Sequence, residues 1–108
     1  MKTIVRTIGL ALATASAVWA ADVKENWEKN CMKCHGADGK GNTKMGKQSG
    51  VKDYTDPKVQ EEMKDENALK VIKEGIVEKG KKKMDPYKDK LTEDEIKALI
   101  AFMRGFKK

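Results

Sequence analysis

Apolar side chains recur at three- and four-residue steps in three stretches of the chain, a period that predicts amphipathic helices. From Asp22 to about Cys34 the repeating positions are Val23, Trp27, Cys31 and Cys34, with Asp22 placed to cap the first turn. A second stretch, starting near Asp65, carries Ala68, Leu69, Ile72 and Ile76, and Gly75 or Gly80 offers its stop. The third carries Ile96, Leu99, Ile100, Met103 and Phe106, with Phe102 widening the face. It opens on Thr92-Glu93-Asp94-Glu95, the sequence of a capping box. Asp56-Pro57 adds an N-cap followed by proline at the first helical position, predicting a short helix to about Met63. Little of the chain alternates with the two-residue period of a strand, so the expected fold class is all-α.

Two polar segments separate these helices. Gly36 to Asp56 begins with Gly36, Gly39 and Gly41, which should end the first helix at His35 or just beyond it. Along that segment only Met45, Val51 and Tyr54 could pack inward, and so long a loop in a compact domain normally wraps something. The segment Lys79 to Lys90, which contains Met84 and Pro86, reads as a second loop. The N-terminus has a basic start in Lys2 and Arg6, an apolar run from Ile8 to Val18 and small residues after it. That is the pattern of a secretory leader over residues 1–20, cut after Ala20. The apolar run is short for a membrane span, which favours removal over anchoring. The expected mature domain, Ala21 to Lys108, has a marginal core of its own. It shows no further membrane span and no internal repeat.

The formal net charge is +6, and it remains positive without Lys2 and Arg6. Lysines are mixed with Glu and Asp throughout, which implies a solvated surface first and an acidic partner second. Nucleic acid is a poor match, because no series of aromatics is available to stack on bases.

Both cysteines and the only histidine of the chain fall in Cys31-Met32-Lys33-Cys34-His35. Cys-x-x-Cys-His is the attachment signature of c-type haem. On a helix, thiols three residues apart point to one side and can form thioethers to the vinyl groups on one haem edge, while the adjacent imidazole can ligate the iron. Three other readings are weaker. A thioredoxin-type redox pair requires a βαβ setting that the periodicity does not provide. A zinc site needs a second ligand pair, and none exists. A disulfide here would close a tiny loop and stabilise little.

A second axial ligand cannot be another histidine, so methionine or lysine remains. Met32 lies between the cysteines, Met63 and Met103 fall on predicted helices, and Met45 lies in the glycine-rich loop. Met84 sits in a proline-bearing loop between two helices, and is the expected ligand, with Met45 and Met63 as the alternatives.

The order of leader, helix, Cys-x-x-Cys-His, wrapping loop, short helices, methionine loop and terminal helix resembles the class I c-type cytochromes of the small soluble bacterial kind, over essentially all of residues 21–108. The resemblance implies a helical fold around one covalently bound haem c, attached through Cys31 and Cys34. It implies His35 and Met84 as metal ligands, and Trp27 packed against Leu99 and Phe102. It further implies a mobile one-electron carrier rather than an enzyme; the leader adds export to the periplasm, the run Lys79, Lys81, Lys82, Lys83, Lys88 and Lys90 around Met84 suits acidic redox proteins, and a monomer is expected. The competing expectation is an open-site haem protein, a gas sensor or small haem enzyme, with weak or absent Met84 ligation. Three departures from the pattern stand out: Val23 replaces a small residue, Asp85 separates Met84 from Pro86, and no proline follows His35 before Asp56. A carbonyl near Gln48 to Val51 is therefore expected to hold the His35 ring N–H.

Overall fold

The computed structural model describes Thr3 and residues 22–108. Apart from Thr3, the expected leader lies outside the described residues. The chain is helical over 22–30 (α1), followed by α2 at Met32–His35, α3 at Lys44–Ser49, α4 at Pro57–Glu62 and α5 at Asp65–Glu74. A hairpin of β1 (Ile76–Glu78) and β2 (Lys81–Met84) precedes α6 at Glu93–Arg104. The helical class expected from the periodicity is the class observed.

α6 forms because its local and long-range signals agree. The Thr92 hydroxyl accepts from the Glu95 N–H at 3.1 Å, and the Glu95 carboxylate accepts from the Thr92 N–H at 2.8 Å, which completes the capping box. Its apolar face buries Ile96, Leu99, Ile100 and Met103 against Trp27 of α1, Ala68 and Ile72 of α5, and Leu91. Burial on that scale contributes about 1.5–3 kcal/mol per large side chain. Leu99 and Trp27 lie at the centre, 0 % and 2 % exposed.

Two segments expected to be loops contain structure. Within Gly36 to Asp56, α3 is nucleated by the Thr43 side chain, which accepts from the Gly46 N–H, and stopped by Gly50 in a left-handed conformation. Within Lys79 to Lys90, β2 pairs antiparallel with β1 around a Lys79-Gly80 turn in which both residues have positive φ. A register shift between Ile76 and Val77 sets Met84 opposite Ile76.

Polar residues join the short helices to α6. Gln60 is buried, and its amide donates to the carbonyls of Tyr54 and Met103 at 2.6 and 2.9 Å. The Arg104 guanidinium bonds the Gln60 and Met63 carbonyls at the C-terminal end of α4 and pairs with Asp65 at 2.6 Å. Those carbonyls have no intrahelical donors, so Arg104 satisfies groups that the end of α4 leaves open.

Candidate functional site

Cys31 interrupts the helical ladder between α1 and α2. Its own N–H donates to Trp27 O at 2.9 Å, and its carbonyl accepts from both Cys34 and His35, at 3.2 and 2.9 Å. The single turn of α2 then stops at Gly36, whose φ of 82° is a conformation that favours glycine. Trp27 fixes that stop by donating its indole N–H to the Gly36 carbonyl at 3.0 Å.

The following loop folds back on the same turn. Gly41 N–H donates to His35 O at 2.8 Å, and the Thr43 hydroxyl donates to Cys34 O at 2.7 Å while capping α3. Gly46 packs so closely that a Cβ there would collide with the Cys34 carbonyl. The carbonyls of Cys34, His35 and Gly36 are thus held by Thr43, Gly41 and Trp27 in turn.

The imidazole of His35 lies between Tyr54 and Trp27, at centroid separations of 5.4 and 5.7 Å. Its Nδ1 is fully buried and has no hydrogen-bond partner, so the carbonyl expected near Gln48 to Val51 does not take that role. Burial pushes the His35 pKa below the usual histidine value, which keeps the ring neutral and its lone pair available to a metal. Both cysteines are free and half-buried. Burial, then the neighbouring Cys34, pushes the Cys31 thiol up to about 12, the opposite of the depressed pKa that activates a redox nucleophile.

Met84 ends β2 half-buried, with its side chain against the core cluster. The segment after it is anchored by Tyr87, whose N–H donates to Ile72 O at 2.9 Å and whose hydroxyl donates to Asn30 O at 2.9 Å, one residue before Cys31. Among the other methionines, Met45 is 40 % exposed on α3 and Met103 is core, while Met32 and Met63, the latter at the C-cap of α4, are half-buried against the same core cluster as Met84. Tyr87 and Thr43 escape sequence reasoning because neither falls on an apolar repeat; for Thr43 the only signal is a capping residue ahead of a helix too short to show a period.

The donor chemistry fits a c-type haem better than a bare ion. Cys31 and Met84 pack against the core and the His35 imidazole meets it through Trp27, with Cys34 on the same turn; among the described residues no group of three or more His, Cys, Asp or Glu side chains could hold a metal ion. The buried, unpartnered Nδ1 marks the His35 ring as oriented by packing rather than by a hydrogen bond.

A helical domain closing on such a turn defines a small c-type cytochrome. The family model described as cytochrome C oxidase, cbb3-type, subunit III matches residues 19–103, and the chain belongs to this family. A solved structure titled KustC0563 c-type cytochrome is 36 % identical, with a TM-score of 0.68 over 79 % of this chain and 96 % of that one. A tyrosine-to-phenylalanine mutant of the same protein is 37 % identical, with a TM-score of 0.70 over 80 % of this chain and 99 % of the other. No curated protein matches. The chain is a haem electron carrier of the c type, which implies covalently bound haem c.

Proposed function

We propose that the protein is an exported, periplasmic carrier of single electrons that holds one haem c through thioethers to Cys31 and Cys34, with His35 and Met84 as axial ligands. The observation that carries this reading is the fastening of the Met84 segment to the carbonyl beside Cys31 through Tyr87, which joins the proposed proximal and distal segments. When bound, the haem supplies an iron that alternates between Fe(II) and Fe(III). The chain's residues tune and position that centre. A neutral imidazole paired with a thioether favours the reduced state over more basic ligand pairs. Trp27, Tyr54 and Tyr87 surround the attachment turn with aromatic surface and limit the access of water.

The partner reading rests on Lys79, Lys81, Lys82, Lys88 and Lys90, which are exposed around the hairpin and the Met84 segment, and on the half-buried Lys83. Asp85 neutralises part of this field by pairing with Lys82 at 3.1 Å. The remaining positive charge suits an acidic redox protein.

Intact-mass spectrometry of protein purified from its exporting cell tests the attachment and the leader together. The expected mass is that of Ala21–Lys108 plus one haem, reduced to the polypeptide alone in Cys31→Ala/Cys34→Ala. A wild-type mass without haem would refute the reading.

A further inference from the structure

Met84 ends a hairpin whose backbone is fixed on one side only. Toward α5 the anchoring is dense: Tyr87 and Lys88 N–H groups donate to Ile72 and Lys73 carbonyls, and Gly75 packs against the Met84 carbonyl so closely that a Cβ would lie 2.5 Å from it. Toward the Cys31–His35 turn it is sparse. Among the described residues, the hydroxyl of Tyr87 on Asn30 O is the one hydrogen bond between residues 81–91 and residues 22–49.

The acceptor is available because of the break at Cys31. In an uninterrupted helix the Asn30 carbonyl would accept from the Cys34 N–H, but that donor turns to Cys31 O instead. Tyr87 takes the carbonyl so released. A tyrosine half-buried beside the attachment turn can therefore link the segment that carries Met84 to the segment that carries His35, through a single bond that a phenylalanine would lack while keeping the ring's packing.

We propose that Tyr87 is a positioning residue for Met84: its hydroxyl latches the Met84 segment to the carbonyl of Asn30 and so resists displacement of the thioether by external ligands. The inference rests on Met84 being the distal ligand. Its motion would be local, with the α5 anchors acting as the hinge while the latch opens.

The test uses oxidised holoprotein and imidazole as the competing ligand, followed through loss of the thioether-to-iron(III) absorption band. Tyr87→Phe removes one neutral hydrogen bond, so imidazole should bind about fivefold more tightly than to wild type. Thr92→Ala, which removes the capping box of α6, serves as a control that lowers global stability while leaving the Tyr87–Asn30 bond in place. It should lower the denaturation midpoint and leave imidazole affinity unchanged. Equal gains in affinity in both variants, or none in Tyr87→Phe, would overturn the latch while the band still supports Met84. A wild-type protein without the band defeats the ligand reading and the latch with it.

Discussion

The indole N–H of Trp27 donates to the Gly36 carbonyl at 3.0 Å, tying the centre of the core to the residue that follows His35. Trp27 also packs its ring against Phe102 and Phe106, at centroid separations of 5.5 and 5.2 Å. One side chain thus sets the distance between α1, α6 and the attachment turn. Trp27→Phe should lose the hydrogen bond and leave a void, lowering the stability of the holoprotein by about 2–4 kcal/mol in a denaturant titration. A shift well under 1 kcal/mol would show that the turn is held by other contacts.

Gly46 makes a second, sharper demand. Its φ is ordinary, but a methyl group there would meet the Cys34 and Gly41 carbonyls and the Thr43 hydroxyl. Gly46→Ala should push α3 off the attachment turn and lower the melting temperature of the holoprotein, with a loss of about 1–3 kcal/mol. Gly50→Ala faces open space and should suffer only the penalty of its left-handed conformation, about 1–2 kcal/mol. The pair separates crowding from backbone strain if the thioether band, read in both variants, weakens in the first alone.

Glu95 links stability to pH. The Thr92 N–H, and to a lesser degree Asn26 and the Thr92 side chain, hold its carboxylate below the usual glutamate pKa. A depressed folded pKa means that the charged form stabilises the fold. The contribution is complete above the ordinary glutamate pKa and disappears as pH falls through the folded value. The stability difference between wild type and Glu95→Gln should therefore shrink on acidification across that window. Thermal melts at a series of pH values provide the check, and a difference that grows toward acid would contradict the capping box as its source.

The lysines about the hairpin predict salt-sensitive kinetics. Raising ionic strength from 0.1 to 1 M shortens the Debye length from about 10 Å to about 3 Å. Electron transfer with an acidic partner should slow accordingly, and Lys81→Glu/Lys82→Glu/Lys83→Glu should slow it further with little change in reduction potential. Stopped-flow rates unaffected by both changes would reduce the patch to a solvated surface.

The parts of the fold that were legible in the sequence are those where burial imposes a period. α6 combines a capping box with four buried apolar residues, and α5 repeats Ala68 and Ile72 at helical spacing, so both emerge from pattern alone. α3 carries one large apolar residue, the exposed Met45, and therefore has no period to find. Its signal is purely local, in Thr43 and Gly50. The hairpin is hidden for a related reason. β2 is three lysines and a methionine, and its turn uses Lys79 where asparagine or aspartate would advertise positive φ. Within the candidate site, the Cys31–His35 motif is explicit in one pentapeptide. The groups that hold it are not, because Thr43 and Tyr87 act on the Cys34 and Asn30 carbonyls, which are brought close only by tertiary folding.

The visible spectrum of the oxidised protein, wild type beside Met84→Ala, tests the central claim most directly. A haem held through Cys31 and Cys34 and ligated by His35 and Met84 predicts a thioether-to-iron(III) band in the wild type. In Met84→Ala that band should be absent, the sixth position should open to carbon monoxide in the reduced state, and the reduction potential should fall. The account is contradicted if the wild type lacks the band. It is equally contradicted if the band survives in Met84→Ala and disappears instead in Met45→Ala or Met63→Ala.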